Sequence, residues 1–309
     1  MILSVSRRTD IPAFYSEWFF ERIKEGFVYV RNPMNIHNIS RIQLNPKVVD
    51  CIVFWTKNAK PLLARIDEIR DYNYYFQYTI NPYNRELEKN VPKKDNVIET
   101  FKELSNKIGL SRMIWRYDPI LMTDDIDVYY HIRYFEEIAK RLSTYTKRCT
   151  ISFIDNYQKT ERNLKQTSAR ELTDSEIFLM VKELVPIAKY YGMEIQTCAE
   201  RIDLANVGIE HGRCIDNVII EELLGVKIET SKDINQRKEC GCVQSIDIGE
   251  YNTCGHHCLY CYANFNKEVV ERKREKHDSK SPLLIGNVES GDKISERKVC
   301  PLKRGNLLF

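Results

Sequence analysis

Three cysteines crowd one short loop. In YNTCGHHCLYCYANFN, residues 251 to 266, Cys254, Cys258 and Cys261 stand in a CxxxCxxC array. Thiolates spaced this way can wrap one metal centre within a single loop, and four ligands would close it. A tetrahedral zinc site would take its fourth ligand from His256, His257, Cys240 or Cys242. An iron–sulfur cluster held by only three cysteines instead leaves one iron open to an exogenous ligand.

The chain carries ten cysteines. The start, MILSVSRRTDIP, has arginines where a signal peptide needs its apolar stretch, and no run of eighteen apolar residues occurs, so a cytoplasmic protein without membrane contact is expected. Thiols there stay reduced, which favours metal or catalytic roles over disulfides. Cys240 and Cys242 form a CxC pair, Cys198 ends a strand-like run and Cys214 lies in HGRCID. Cys51 and Cys149 fall within strand-like runs and read as core residues, while Cys300 has no partner spacing. His211 is a weaker candidate ligand beside Cys214.

What positions these residues is a series of apolar runs: 1–5, 48–55, 74–80, 112–117, 149–154, 193–198 and 244–249, all reading as buried strands. FVYVRN, 27–32, is a further candidate. Helical patterns lie between them at 15–26, 61–72, 96–109, 127–142 and 175–192. The last opens on a capping box, Thr173 to Glu176, and ends at Gly192. Such alternation argues for parallel strands with helical crossovers, hence an α/β fold and a (β/α) barrel, complete or partial. With no low-complexity linker, we expect one barrel domain over 1–265, which includes the cysteine region 198–261, and a C-terminal extension over 266–309.

In such folds the active site lies at the C-terminal strand ends. There stand Ser6, Arg7, Arg8 and Asp10; Thr56, Lys57 and Asn58; Asn81; Arg116 and Asp118; Asp155 and Asn156; and Cys198, Glu200 and Arg201. The cysteine loop follows the last strand. Each charged residue alone reads as a loop salt bridge or helix cap sooner than as a catalytic group, and Asp10, before Ile11-Pro12, suits a helix cap. Their recurrence after several strands carries the argument. Arg7, Arg8, Asp10, Lys57, Arg116 and Asp118 are the candidates for a catalytic or substrate shell, because cations at such an edge suit carboxylate or phosphate groups.

Composition narrows little further. The 47 basic and 44 acidic residues leave a net charge of +3, a weak case for nucleic acid, although a local basic patch stays open. The mixed-charge run at 267–280 reads as a solvated helix face.

The loop Cys254-Gly-His-His-Cys258-Leu-Tyr260-Cys261 resembles the cluster loop of radical S-adenosylmethionine (SAM) enzymes. There the loop follows the first strand; here it follows the last. Nearly the whole chain resembles the bacterial family called domain of unknown function 1848, through SVSRRTDIPAFYSEWF, FWTKN at 54–58, RYDPI at 116–120, TCAE at 197–200 and the cysteine region at 240–264. The resemblance implies a circularly permuted barrel in which QSIDIG stands beside MILSV. It further implies a four-iron, four-sulfur cluster on Cys254, Cys258 and Cys261 and SAM on the open iron. Reductive cleavage to a 5′-deoxyadenosyl radical would follow, with an electron donor such as flavodoxin or ferredoxin. Tyr260 would pack near the adenine, and His256 and His257 would shape the turn or contact SAM. No counterpart of the superfamily's Gly-Gly-Glu motif is found.

Cys198, Cys214, Cys240 and Cys242 then match the ligand count of an auxiliary iron–sulfur cluster. The bland alternative is two core cysteines and a CxC that helps a zinc site. Because Cys240 and Cys242 precede their strand, the auxiliary site requires their loop to fold back over the strand ends. Competing functions are a zinc-stabilised binding protein, with nucleic acid as a candidate partner, and an iron–sulfur electron carrier that does not use SAM.

Overall fold

The computed structural model describes residues 1–155, 162–165, 167–299 and 301–302; Asn156 and Cys300 lie outside them. In chain order the strands are β1 (Ile2–Val5), β2 (Phe27–Asn32), β3 (Asn35–Gln43), β4 (Cys51–Thr56), β5 (Tyr74–Thr79), β6 (Met113–Ile120), β7 (Arg148–Phe153), β8 (Glu194–Cys198), β9 (Glu210–Gly212), β10 (Ile246–Asp247) and β11 (Lys293–Glu296). Eight of them form one sheet in the order β10-β1-β4-β5-β6-β7-β8-β9, with every pairing parallel. The chain adds strands in sequence from β1 to β9 and then returns, so that β10 lies outside β1 with Leu3 opposite Ile246 and Ser4 opposite Asp247.

Burial on both faces explains why the strands read as unbroken apolar runs. Leu3, Ile52, Phe54, Phe76 and Trp115 pack with helical residues such as Phe19, Phe101 and Phe135. The alternate residues Ile2, Cys51, Val53, Tyr75 and Ile114 pack on the other side with Ile215, Ile219 and Ile220, the last two from the helix Asn217–Leu224. This period of two divides the strands between two cores. Cys51 and Cys149 are fully buried, as expected for core residues.

The long helical patterns fold as Ser16–Glu25, Lys94–Ile108, Val128–Leu142 and Asp174–Tyr190, and the capping box is present between Thr173 and Glu176. The pattern at 61–72 instead divides into a short helix, Lys60–Leu63, and a 3₁₀ turn, Ile66–Ile69. The 3₁₀ period brings Ile66 and Ile69 onto one buried face. FVYVRN is a strand but not of the main sheet. It pairs antiparallel with β3, and β11 completes this three-stranded sheet. A two-residue connection permits only an antiparallel pair, whereas joining the parallel sheet would require a crossover. The eighth strand of the main sheet is instead β9, EHG, too short and polar to show in the pattern. No helix among the described residues is long and apolar enough to cross a membrane.

Candidate functional site

Asp247 ends β10 and ties it to β1. Its carboxylate accepts from Ser4 Oγ at 2.7 Å, Ser6 Oγ at 2.6 Å, and the Arg7 and Gly249 amides at 2.9 Å each. Gly249 is obligatory in this crossing, since a Cβ there would lie 2.1 Å from Ser6 Oγ. The chain then enters the cysteine loop.

Asp10 does cap the helix Ile11–Phe14, accepting from the Ala13 amide at 2.9 Å. It also accepts from Thr56 Oγ1 at 2.8 Å and the Lys57 amide at 2.7 Å, and it pairs with His256 Nε2 at 2.8 Å. One buried carboxylate therefore joins the ends of β1 and β4 to the loop. Segment 87–90 supports the loop from the other side: Leu259 N bonds Leu87 O at 2.9 Å, Asn90 N bonds His256 O at 3.0 Å, and Asn90 Nδ2 bonds Gly255 O at 2.8 Å.

Cys258 faces Lys57 and Glu88. Burial drives its thiol well above the usual range, against the pull of the Lys57 ammonium, and pushes Cys254 up to about 12. Each feels the charge of Cys261, so the three thiols share one electrostatic neighbourhood. Lys57 Nζ lies 2.8 Å from Glu88 Oε1 and 3.0 Å from Tyr260 Oη, while Lys94 Nζ and Tyr260 Oη also bond Glu88. Burial alone would raise the Glu88 carboxyl; the Lys57 and Lys94 charges outweigh it and hold it at about 2. Asn81 Nδ2 links Tyr260 Oη at 3.3 Å to the Asp118 carbonyl at 2.7 Å.

A second group of thiols stands at the other side of this edge. Cys198 Sγ and Cys214 Sγ are 2.8 Å apart, the Ile215 amide donates to Cys242 Sγ at 3.4 Å, and Cys214, Cys240 and Cys242 are buried in one apolar cluster with Cys198 packed against it. The polypeptide before β10 therefore does reach the strand ends, fixed there by Val243 N to Ile215 O at 3.1 Å. Tyr75 Oη and Gln77 Nε2 hold the Cys214 carbonyl at 2.7 and 2.9 Å. Arg116, only 6% exposed, donates from Nη1 to Cys214 Sγ at 2.9 Å and from Nη2 to Asp118.

Arg7 spans the two groups. Its guanidinium senses Cys242 and Cys214, lies 5.6 Å from the Trp55 ring centroid and pairs with Asp233 at 3.8 Å; its carbonyl accepts from Tyr262 Oη at 2.8 Å, one residue beyond Cys261. Glu200, accepting from the Phe153 amide at 3.0 Å, is raised by burial to about 7, so it can carry a proton near neutrality.

The fold thus brings Asp10, Lys57, His256 and Tyr260 to the three-cysteine loop, and Arg116 and Asp118 to the second group. Arg8 turns toward the rim, 5.2 Å from the Tyr251 ring centroid. His257 is half-buried among Glu271, Arg274, Lys267 and Lys89, away from the thiols' own partners. His211 is exposed and bonds Thr197. Sequence reasoning missed Glu88, Lys94 and Gln77 because their partners lie far along the chain; Asp247, at the end of a recognised strand and before a glycine, was within its reach.

Among the described residues, no group of three or more His, Cys, Asp or Glu is placed to hold a metal ion as it stands. In the second group Cys198 and Cys214 are instead bonded to one another, and buried thiols must first lose their protons to become ligands. Two observations bear on fit: both donor sets are sulfur-rich, and His256 Nδ1 is buried without a partner.

Together the parallel sheet and the two thiol groups define an α/β protein in which β10, the last strand of the main sheet along the chain, delivers a cysteine loop to the C-terminal ends of the earlier ones. The chain belongs to the family Domain of unknown function (DUF1848), whose model matches residues 2–263 and so spans both thiol groups. No curated protein matches it. Among solved structures, a "putative alpha-L-fucosidase" from Bacteroides thetaiotaomicron is similar at 10% identity over 74% of this chain and 84% of that one, with a TM-score of 0.24, a likeness that carries no argument here.

Proposed function

We propose that the protein is a radical SAM enzyme whose cluster is held by Cys254, Cys258 and Cys261. The observation that carries this reading is the position of β10 beside β1, which sets the CxxxCxxC loop at the shared C-terminal edge of a parallel sheet, where α/β enzymes place their chemistry. The finer fold that accompanies it is a circularly permuted (β/α) barrel, supported by the hydrogen bond between the segments that follow β9 and precede β10.

When bound, the four-iron cluster and SAM would supply one-electron reductive cleavage to a 5′-deoxyadenosyl radical, with the electron coming from a flavodoxin- or ferredoxin-type donor. The chain's own residues do the rest. Asp10 and His256 fix the base of the loop, and Glu88 fixes Lys57 and Tyr260 beside Cys258. The depth of Cys258 and Tyr260, each under 10% exposed, keeps water from that side of the loop. Arg7, Arg8, Lys57 and Arg116 supply positive charge along the edge for an anionic substrate or the SAM carboxylate, and Glu200 offers an exchangeable proton.

A second reading rests on His256. With Nε2 on Asp10 and Nδ1 unpartnered, it has the carboxylate–histidine arrangement of a metal ligand, and a Cys₃His zinc site would use it. Anaerobic purification with counts of iron, sulfide and zinc, followed by dithionite and SAM, separates the two. We expect iron, sulfide and 5′-deoxyadenosine; zinc with intact SAM overturns the enzyme reading.

A further inference from the structure

We propose that Cys198, Cys214, Cys240 and Cys242 are the ligands of a second iron–sulfur cluster seated against Arg116. The proposal goes beyond the radical SAM reading and stands on other residues, so either can fail without the other.

Four thiols from three separate stretches of chain meet in one place. Cys198 ends β8, Cys214 follows β9, and the CxC pair precedes β10. They form a series in which Cys198 Sγ meets Cys214 Sγ at 2.8 Å, the Ile215 amide next to Cys214 donates to Cys242 Sγ at 3.4 Å, and Cys240 lies two residues before Cys242 in the same cluster. Cys51 and Cys149 show the contrast, being equally deep within the apolar cores but outside this series. Ordinary core cysteines have no need of one another.

The surroundings suit charged sulfur. Arg116 is buried, paired with Asp118 and bonded to Gln77 Oε1 at 3.1 Å, and its Nη1 also points at Cys214 Sγ from 2.9 Å, a donor that suits a metal-bound thiolate better than a neutral thiol. Arg7 brings a second positive charge to Cys242 and Cys214, and the Ile215 amide donates to Cys242 Sγ at 3.4 Å. Amide and guanidinium donors to ligand sulfur are the means by which proteins stabilise iron–sulfur clusters and set their potentials.

Structural zinc serves where a core is lacking, since its binding energy becomes folding energy. Here the thiols border an apolar cluster that includes Ile215, Ile219, Ile220 and Val243, so the segment already has a core. Arg7, whose guanidinium faces Cys242 and Cys214 and whose carbonyl accepts from Tyr262 beside Cys261, connects this group to the three-cysteine loop, as an electron-carrying group requires. On assembly from iron and sulfide, each cysteine gives its proton to solvent as its sulfur bonds iron.

The test uses the full chain with Cys254→Ala, Cys258→Ala and Cys261→Ala combined, loaded anaerobically with iron and sulfide. We expect about four irons and four sulfides per chain and a dithionite-dependent EPR signal, all lost on adding Cys214→Ala. A variant that folds by circular dichroism yet holds no iron, or holds zinc without sulfide, overturns the proposal. So does iron that survives the added Cys214→Ala. If the triple variant does not fold, Cys214→Ala is made in the otherwise unsubstituted chain, where loss of about four irons and four sulfides relative to the parent supports the proposal and an unchanged count overturns it. SAM cleavage by the unsubstituted chain reports separately on the radical reading.

Discussion

The two thiol groups are built by opposite means. In the loop at Cys254, Cys258 and Cys261, neighbouring residues supply the sulfurs and distant ones supply the support, through Asp10, Glu88 and Asn90. At Cys198, Cys214, Cys240 and Cys242 the sulfurs themselves are distant in sequence, and folding must gather them. Charge differs as well. Beside Cys258 the Lys57 cation is paired with Glu88, whereas Arg116, paired with Asp118, also donates directly to Cys214. A loop with spacing of its own can take up a metal centre locally, while the second group exists only once β8, β9 and β10 are in place.

The largest expected effect separates them completely. Cys258→Ala should reduce 5′-deoxyadenosine formation to background while leaving the iron of the second group; loss of both irons together would show that the groups are not independent.

Next is Arg116→Met. It strands Asp118 in a partly buried position and removes the donor to Cys214. Breaking such a pair from one side should cost about 3 to 5 kcal/mol in a urea titration, with iron retained by the loop and lost from the second group. Unchanged stability and iron would deny Arg116 its place.

Glu88→Gln probes the loop's support, leaving the Lys57 and Lys94 charges without their carboxylate. We expect a loss of about 3 kcal/mol near neutrality. Because the folded-state carboxyl is held at about 2, against an ordinary 4.5, its stabilising contribution is full above pH 4.5 and falls away as pH drops toward 2. The stability difference between the parent and Glu88→Gln should therefore shrink across that window. A difference independent of pH would mean that Glu88 acts by packing alone.

The smallest effect tests the link between the groups. Tyr262→Phe removes the 2.8 Å bond to the Arg7 carbonyl and should cost about 1 kcal/mol. A shift in the second group's EPR signal in this variant would show that the two sites are mechanically joined.

Much of the scaffold was legible because its causes are local or periodic. Seven strands of the main sheet showed as apolar runs, since both faces are buried, and the helix after Thr173 announced its own cap. Strand β9 escaped because three residues held by the edge of β8 need no apolar pattern, and FVYVRN misled because strand character does not specify a partner. At the site, Asp10 was legible as a cap, but not as the carboxylate that also holds His256 and the end of β4.

The sequence by itself determined the CxxxCxxC spacing, the alternation of strand and helix and the polar residues that follow each strand, because all of these are set by near neighbours along the chain. Only the tertiary structure decided that Glu88 and Lys94 enclose Lys57 and Tyr260 and that Cys198 and Cys214 meet beside Arg116, while the pairing of β10 with β1 bore out what the family resemblance implied. Those depend on contacts between residues far apart in the chain, which form only when burial of both sheet faces offsets the entropy of bringing such segments together.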